Sequence, residues 1–95
     1  MKNEIYIGNL PYSITPGTLA QFLESLGVWV SGEDLRIPRM KDGPHAGSSR
    51  GFAFAALENE KQVIRAVGAS GTVLAGREII IKRAVFGAPK RKDLI

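Results

Sequence analysis

Tyr6, Phe52 and Phe54 are the residues through which this chain could do chemistry. Each lies in a short run of alternating character, Ile5-Tyr6-Ile7 and Phe52-Ala53-Phe54. Side chains on a strand point to opposite faces in turn. Tyr6 therefore opposes Ile5 and Ile7, and Phe52 and Phe54 stand together with Arg50. Aromatic faces stack on flat π systems, and a cation beside them attracts anions. By the same alternation Ile80 and Lys82 share a face, while Ile79 and Ile81 take the other. Other chemistries are poorly served. The chain has no Cys and a single His, His45. That excludes a disulfide scaffold, Cys-ligated metal, a Cys nucleophile and multi-His metal centres. There is no His–carboxylate pairing and no phosphate-cradling glycine loop ahead of a helix, so no catalysis, metal or cofactor is expected.

The elements that must position these residues can be read in order. Residues 4–8 form a β-branched and aromatic strand, followed by a loop over 9–13. Thr15 is placed to cap a helix with Pro16 at its first position. Leu19, Phe22, Leu23 and Leu26 give that helix one apolar stripe, and Gly27 suits its C-terminal end. Residues 31–34 read as a turn. Residues 35–40 read as a strand with Leu35 and Ile37 on one face. Pro38 cannot donate to a ladder, which sends this strand to a sheet edge. A glycine-rich loop over 41–49 leads to a strand over 50–57. Asn59 caps a second helix with Gln62 at the capping-box position, and Val63, Ile64, Ala66 and Val67 supply its buried side. Residues 72–76 form a short connection and residues 77–84 the last strand.

The order is β-α-β-β-α-β, an α+β split βαβ arrangement of the ferredoxin-like kind. A four-stranded antiparallel sheet carries both helices on one face. The other face is left open, with Tyr6, Phe52, Phe54 and Ile80 on it. Large aromatics gathered on a solvent face call for something to cover them. Ninety-five residues with 44% hydrophobic and 23% charged side chains suit one folded domain, expected over residues 1–84. Residues 85–95 are read as a basic tail.

The sequence resembles the RNA recognition motif (RRM) family. Ile5-Tyr6-Ile7-Gly8-Asn9-Leu10 matches the family's six-residue motif on the first strand. Residues 50–57, Arg-Gly-Phe-Ala-Phe-Ala-Ala-Leu, match its eight-residue motif on the third. Ala55 and Leu57 depart from the usual branched aliphatic and aromatic, on the face turned to the core. The resemblance implies a binding module for single-stranded RNA. Tyr6 and Phe54 would be platforms for successive bases, with Phe52 beside them and Arg50 on a phosphate. Ile80, Lys82, Asn9 and Lys41 complete the expected RNA-binding set. Lys82 is read equally well as a phosphate contact or a solvated charge, and Asn9 and Lys41 fit a brace and a solvated loop at least as well.

The alternative is a protein-interaction module on the same fold, engaging a partner through its helical side, Trp29 or Phe86. Trp29 is otherwise expected to cover an edge of the core. The net charge is +4, from thirteen basic and nine acidic residues. Residues 1–76 hold seven of each, so the excess lies in residues 77–95, including Lys90-Arg91-Lys92. This favours an anionic partner. Pro11, Pro16, Gly8 and Gly17 interrupt the uncharged stretch over 5–23, so no membrane span is expected. The protein is expected to be an intracellular monomer, in nucleus or cytoplasm, whose work is mRNA binding, processing or translation.

Overall fold

The computed structural model describes residues 3–44 and 46–84. His45 and the expected tail, with Phe86 and Lys90-Arg91-Lys92, lie outside the described residues. The first strand, β1 (Glu4–Gly8), leads to the first helix, α1 (Pro16–Ser25). Thr15 caps α1, its hydroxyl accepting from the Thr18 N–H at 3.2 Å, with Pro16 at the first helical position. Such a cap is worth about 1 kcal/mol. Leu19, Phe22 and Leu23 are its buried stripe. Gly27, at φ +83°, ends it: the Gly27 N–H donates to the Glu24 carbonyl and the Val28 N–H to that of Leu23, both at 2.9 Å. This is a Schellman turn, and glycine takes its left-handed position without strain.

A 3-10 turn over Gly32–Asp34 precedes β2 (Leu35–Arg36). The strand expected over 35–40 is thus much shorter. Pro38 supplies no N–H, so the ladder stops, although the Pro38 carbonyl still accepts from the Arg50 N–H at 3.0 Å. An isolated bridge between Arg39 and Ser49 closes the base of the following loop. The third strand is β3 (Phe52–Ala56) and the second helix α2 (Glu60–Gly68).

Two expectations about α2 are corrected. Ile64 is 60% exposed, because it lies a hundred degrees around the helix from Val63, and Val63 and Ala66 are the residues that reach the core. Asn59 does cap α2, accepting from the Gln62 N–H at 3.0 Å. The Gln62 side chain does not close the capping box. It donates to the Gly27 carbonyl at 3.2 Å and accepts from the Trp29 N–H at 2.8 Å, tying α2 to the loop after α1.

The last segment is also divided. β4 (Val73–Leu74) and β5 (Arg77–Glu78) form a separate hairpin, and only β6 (Ile80–Arg83) joins the main sheet. Ala75 and Gly76 both have positive φ, at 54° and 79°, as a tight two-residue hairpin turn requires. The main sheet is antiparallel throughout, in the order β2-β3-β1-β6. β2 is at an edge, as expected, although Pro38 lies beyond it.

The core lies between this sheet and the helices. Ile5, Ile7, Ala53, Ala55, Ile79 and Ile81 come from the strand side, meeting Leu19, Leu23, Val63 and Ala66. Ala53 and Ala55 leave room for the helices to approach the sheet. Each fully buried Leu or Ile contributes roughly 1.5–3 kcal/mol relative to exposure. Arg83 reaches from β6 to the start of α2, pairing with Glu60 through its two terminal guanidinium nitrogens. The hydrogen bond from Arg83 holds the Glu60 carboxyl below its usual range, and Glu60 raises Arg83 in turn. Both groups are exposed, so solvent weakens the pair.

Candidate nucleic-acid interface

The strand registers place the open-face residues in rows. Arg36 faces Phe54 across β2 and β3, Phe54 faces Tyr6 across β3 and β1, and Tyr6 faces Lys82 across β1 and β6. Arg36, Phe54, Tyr6 and Lys82 thus form one line over all four strands. Beside it runs Phe52, Gly8 and Ile80, and on the other flank Ala56 and Glu4.

The three rings form one cluster. Ring centroids are 6.0 Å apart for Tyr6 and Phe52, 5.8 Å for Tyr6 and Phe54, and 5.7 Å for Phe52 and Phe54. The interplanar angles of 78°, 59° and 54° are edge-to-face or tilted, the favoured arrangement for neighbouring rings. All three side chains are only half-buried. Gly8 makes room for the first. A Cβ on Gly8 would stand 2.6 Å from the Tyr6 Oη and 2.8 Å from its Cε2. The Tyr6 ring therefore lies down along its own strand, over the space a side chain would fill.

Cations flank the rings. The Arg50 Cζ is 5.5 Å from the Phe52 centroid and the Arg36 Cζ is 5.2 Å from that of Phe54. Both separations suit cation–π attraction. Arg36 also approaches the Glu4 carboxylate at 3.6 Å, reaching across the small Ala56. Sequence reasoning missed Arg36. The signal is in the alternation: Leu35 and Ile37 share one face of their strand, and Arg36 takes the other.

The structure brings Tyr6, Phe52, Phe54, Arg50, Ile80 and Lys82 onto this face. Ile80 is 42% exposed there. Asn9 follows directly after β1 with φ +61°, a conformation Asn tolerates better than most residues. Its Nδ2 donates to the Glu78 carbonyl at 2.9 Å. Arg77 donates to the Asn9 carbonyl at 3.1 Å and to its Oδ1 at 3.0 Å. Asn9 thus joins β1 to the β4–β5 hairpin. Lys41 follows the Arg39–Ser49 bridge in an exposed loop and is not part of the rows.

Trp29 does not cover the core edge as expected. It is 62% exposed, because its neighbour Val28 takes the buried position. It borders an open cleft of about 600 Å³, together with Val30, Asp34, Leu57 and Glu58. Among the described residues no group of His, Cys, Asp and Glu could hold a metal ion, and no helix is long and apolar enough to cross a membrane.

A family model of the RNA recognition motif matches residues 5–80. The chain belongs to that family. Among curated proteins, this RRM is 32% identical to RNA-binding protein 34 of Mus musculus over 84 residues, covering 88% of the chain and 18% of that protein. It is 35% identical to chloroplastic RNA-binding protein CP31B of Arabidopsis thaliana over 81 residues, covering 84% of the chain and 26% of that protein. The chain spans less than a third of the length of these relatives. Among solved structures, the Rna15 RRM superposes with a TM-score of 0.74 at 22% identity, covering 92% of this chain and 94% of that one. RNA binding protein PG1 superposes with a TM-score of 0.70 at 31% identity, covering 87% and 94%. The split βαβ arrangement expected from the order of elements is thus the RRM fold.

Proposed function

We propose that this RRM is a non-catalytic module that binds single-stranded RNA on its open sheet face. One observation carries the reading: three half-buried rings lie within 6.0 Å of one another, with a guanidinium over each of two of them. Such a surface offers π faces to unpaired bases and positive charge to the phosphates between them. Tyr6 and Phe54 take successive bases, Phe52 packs beside them, and Ile80 extends the apolar floor. Arg50 and Lys82 meet phosphates, with Asn9 and Lys41 at the margin. The module acts as a single copy, inside the cell, within a protein of mRNA binding, processing or translation. The RNA-binding names of its curated relatives support this.

The test is fluorescence anisotropy with short single-stranded RNA pools at low salt. Stacking is worth roughly 1–3 kcal/mol per base. Phe52→Ala combined with Phe54→Ala should therefore weaken binding by at least tenfold, while a thermal melt shows the fold retained. Undetectable binding by the parent, or no loss in the double variant, would sink the proposal. The exposed Trp29 and its cleft favour a second reading, a docking surface for a protein partner, and a parent that binds no RNA would leave that reading standing.

A further inference from the structure

Glu4 is the anomaly of the open face. It is 8% exposed, although it stands on the solvent side of β1, two residues before Tyr6. Its carboxylate lies 3.6 Å from an Arg36 nitrogen, an ion-pair contact too long for a hydrogen bond. No hydrogen bond to that carboxylate is found among the described residues. A carboxylate so nearly buried needs donors, and leaving its lone pairs unmet is costly. The fold could have avoided this with an apolar residue, since Glu4 faces Ala56 across the strands.

The geometry points to a ligand that brings the missing donors. Glu4 and Tyr6 are two residues apart on one face, roughly 7 Å along the strand. A base lying on the Tyr6 ring would therefore turn one edge toward Glu4. The Arg36–Glu4 pair presents a donor followed by two acceptor oxygens. Guanine alone among the four bases offers the complement on its pairing edge: the O6 acceptor, then the N1–H and N2–H donors. Uracil sets a single N–H between two carbonyls. Cytosine and adenine set one amino group beside an unprotonated ring nitrogen, which would face a carboxylate oxygen.

We infer that Glu4, oriented by Arg36, selects guanine at the nucleotide stacked on Tyr6. The inference rests on the RNA-binding reading and adds a base preference that the ring cluster alone lacks.

Anisotropy titrations of the full chain with an all-uridine octamer, and with the same octamer carrying one guanosine, test it. The guanosine oligonucleotide should bind about tenfold more tightly, as a well-formed bidentate base contact allows. Inosine in place of guanosine removes only the N2 amino group, and its affinity should fall between the two. Glu4→Gln should bring the guanosine and uridine affinities together, with a thermal melt to show that the variant is folded. Equal binding of the two oligonucleotides by the parent overturns guanine selection while leaving RNA binding intact. Inosine that binds as tightly as guanosine overturns it without any protein variant. Binding of neither oligonucleotide overturns the RNA-binding reading itself.

Discussion

Gly8 shows how much a single residue governs here. The Tyr6 ring occupies the place where a Gly8 side chain would stand, with its hydroxyl closest. Gly8→Ala should push the ring up from the strand rather than disrupt the core, because Tyr6 can rotate and the backbone pairing of β1 can persist. The expected result is RNA affinity lowered several-fold with the melting temperature little changed. Anisotropy beside a thermal melt reads both, and a large fall in stability with affinity intact would contradict it. At this scale much was legible in advance. The alternation of Tyr6, Phe52, Phe54, Ile80 and Lys82 is a property of strands and does not depend on the rest of the fold. The hydrogen bonds of Asn9 were not legible, because its partners Arg77 and Glu78 are nearly seventy residues away. The burial of Glu4 depends likewise on what Arg36 and Ala56 leave open.

Among the elements, α2 and the loop after α1 behave as one piece. The Gln62 amide holds the Gly27 carbonyl and the Trp29 N–H at once. Gln62→Ala removes both bonds and leaves the Asn59 cap in place, since that cap uses the Gln62 backbone. Two exposed or half-buried bonds are together worth roughly 1–3 kcal/mol. The expected outcome is faster hydrogen exchange at the Trp29 amide and a small stability loss, with α2 itself still protected. Exchange followed residue by residue would check this, and unchanged exchange at Trp29 would contradict it. The helix caps at Thr15 and Asn59 and the end at Gly27 were readable because caps are local chemistry. The β4–β5 hairpin was not, since its strands are two residues long and Ala75 gives no turn signal. The capping box failed for a related reason: Gln62 could serve its own helix end or a neighbouring loop, and tertiary structure decided.

For the whole molecule, charge and stacking should separate. Single-stranded binding loses about 0.7 in the salt slope for each phosphate contact removed. Lys82→Ala, at the end of the central row, should flatten the dependence of affinity on salt by about that amount. Phe54→Ala should lower affinity at every salt concentration with the slope nearly preserved. Titrations between low and physiological salt distinguish the two, and identical slopes in the parent and Lys82→Ala would remove Lys82 from the phosphate path. The overall charge of +4 gives no hint of this division, since it does not say which cations share a face with the rings.

The sheet order has a consequence for how the chain comes into being. β1 is made early yet lies inside the sheet, between β3 and β6. A growing chain that has already paired β1 with β3 still presents the other side of β1 unpaired until residues 80–83 emerge. For that interval β1 keeps an open strand edge of unpaired backbone groups, the arrangement most prone to join another chain. Completion of the sheet is therefore a race between synthesis of its last strand and capture of its first, and slow translation of residues 57–83 would lengthen the vulnerable interval.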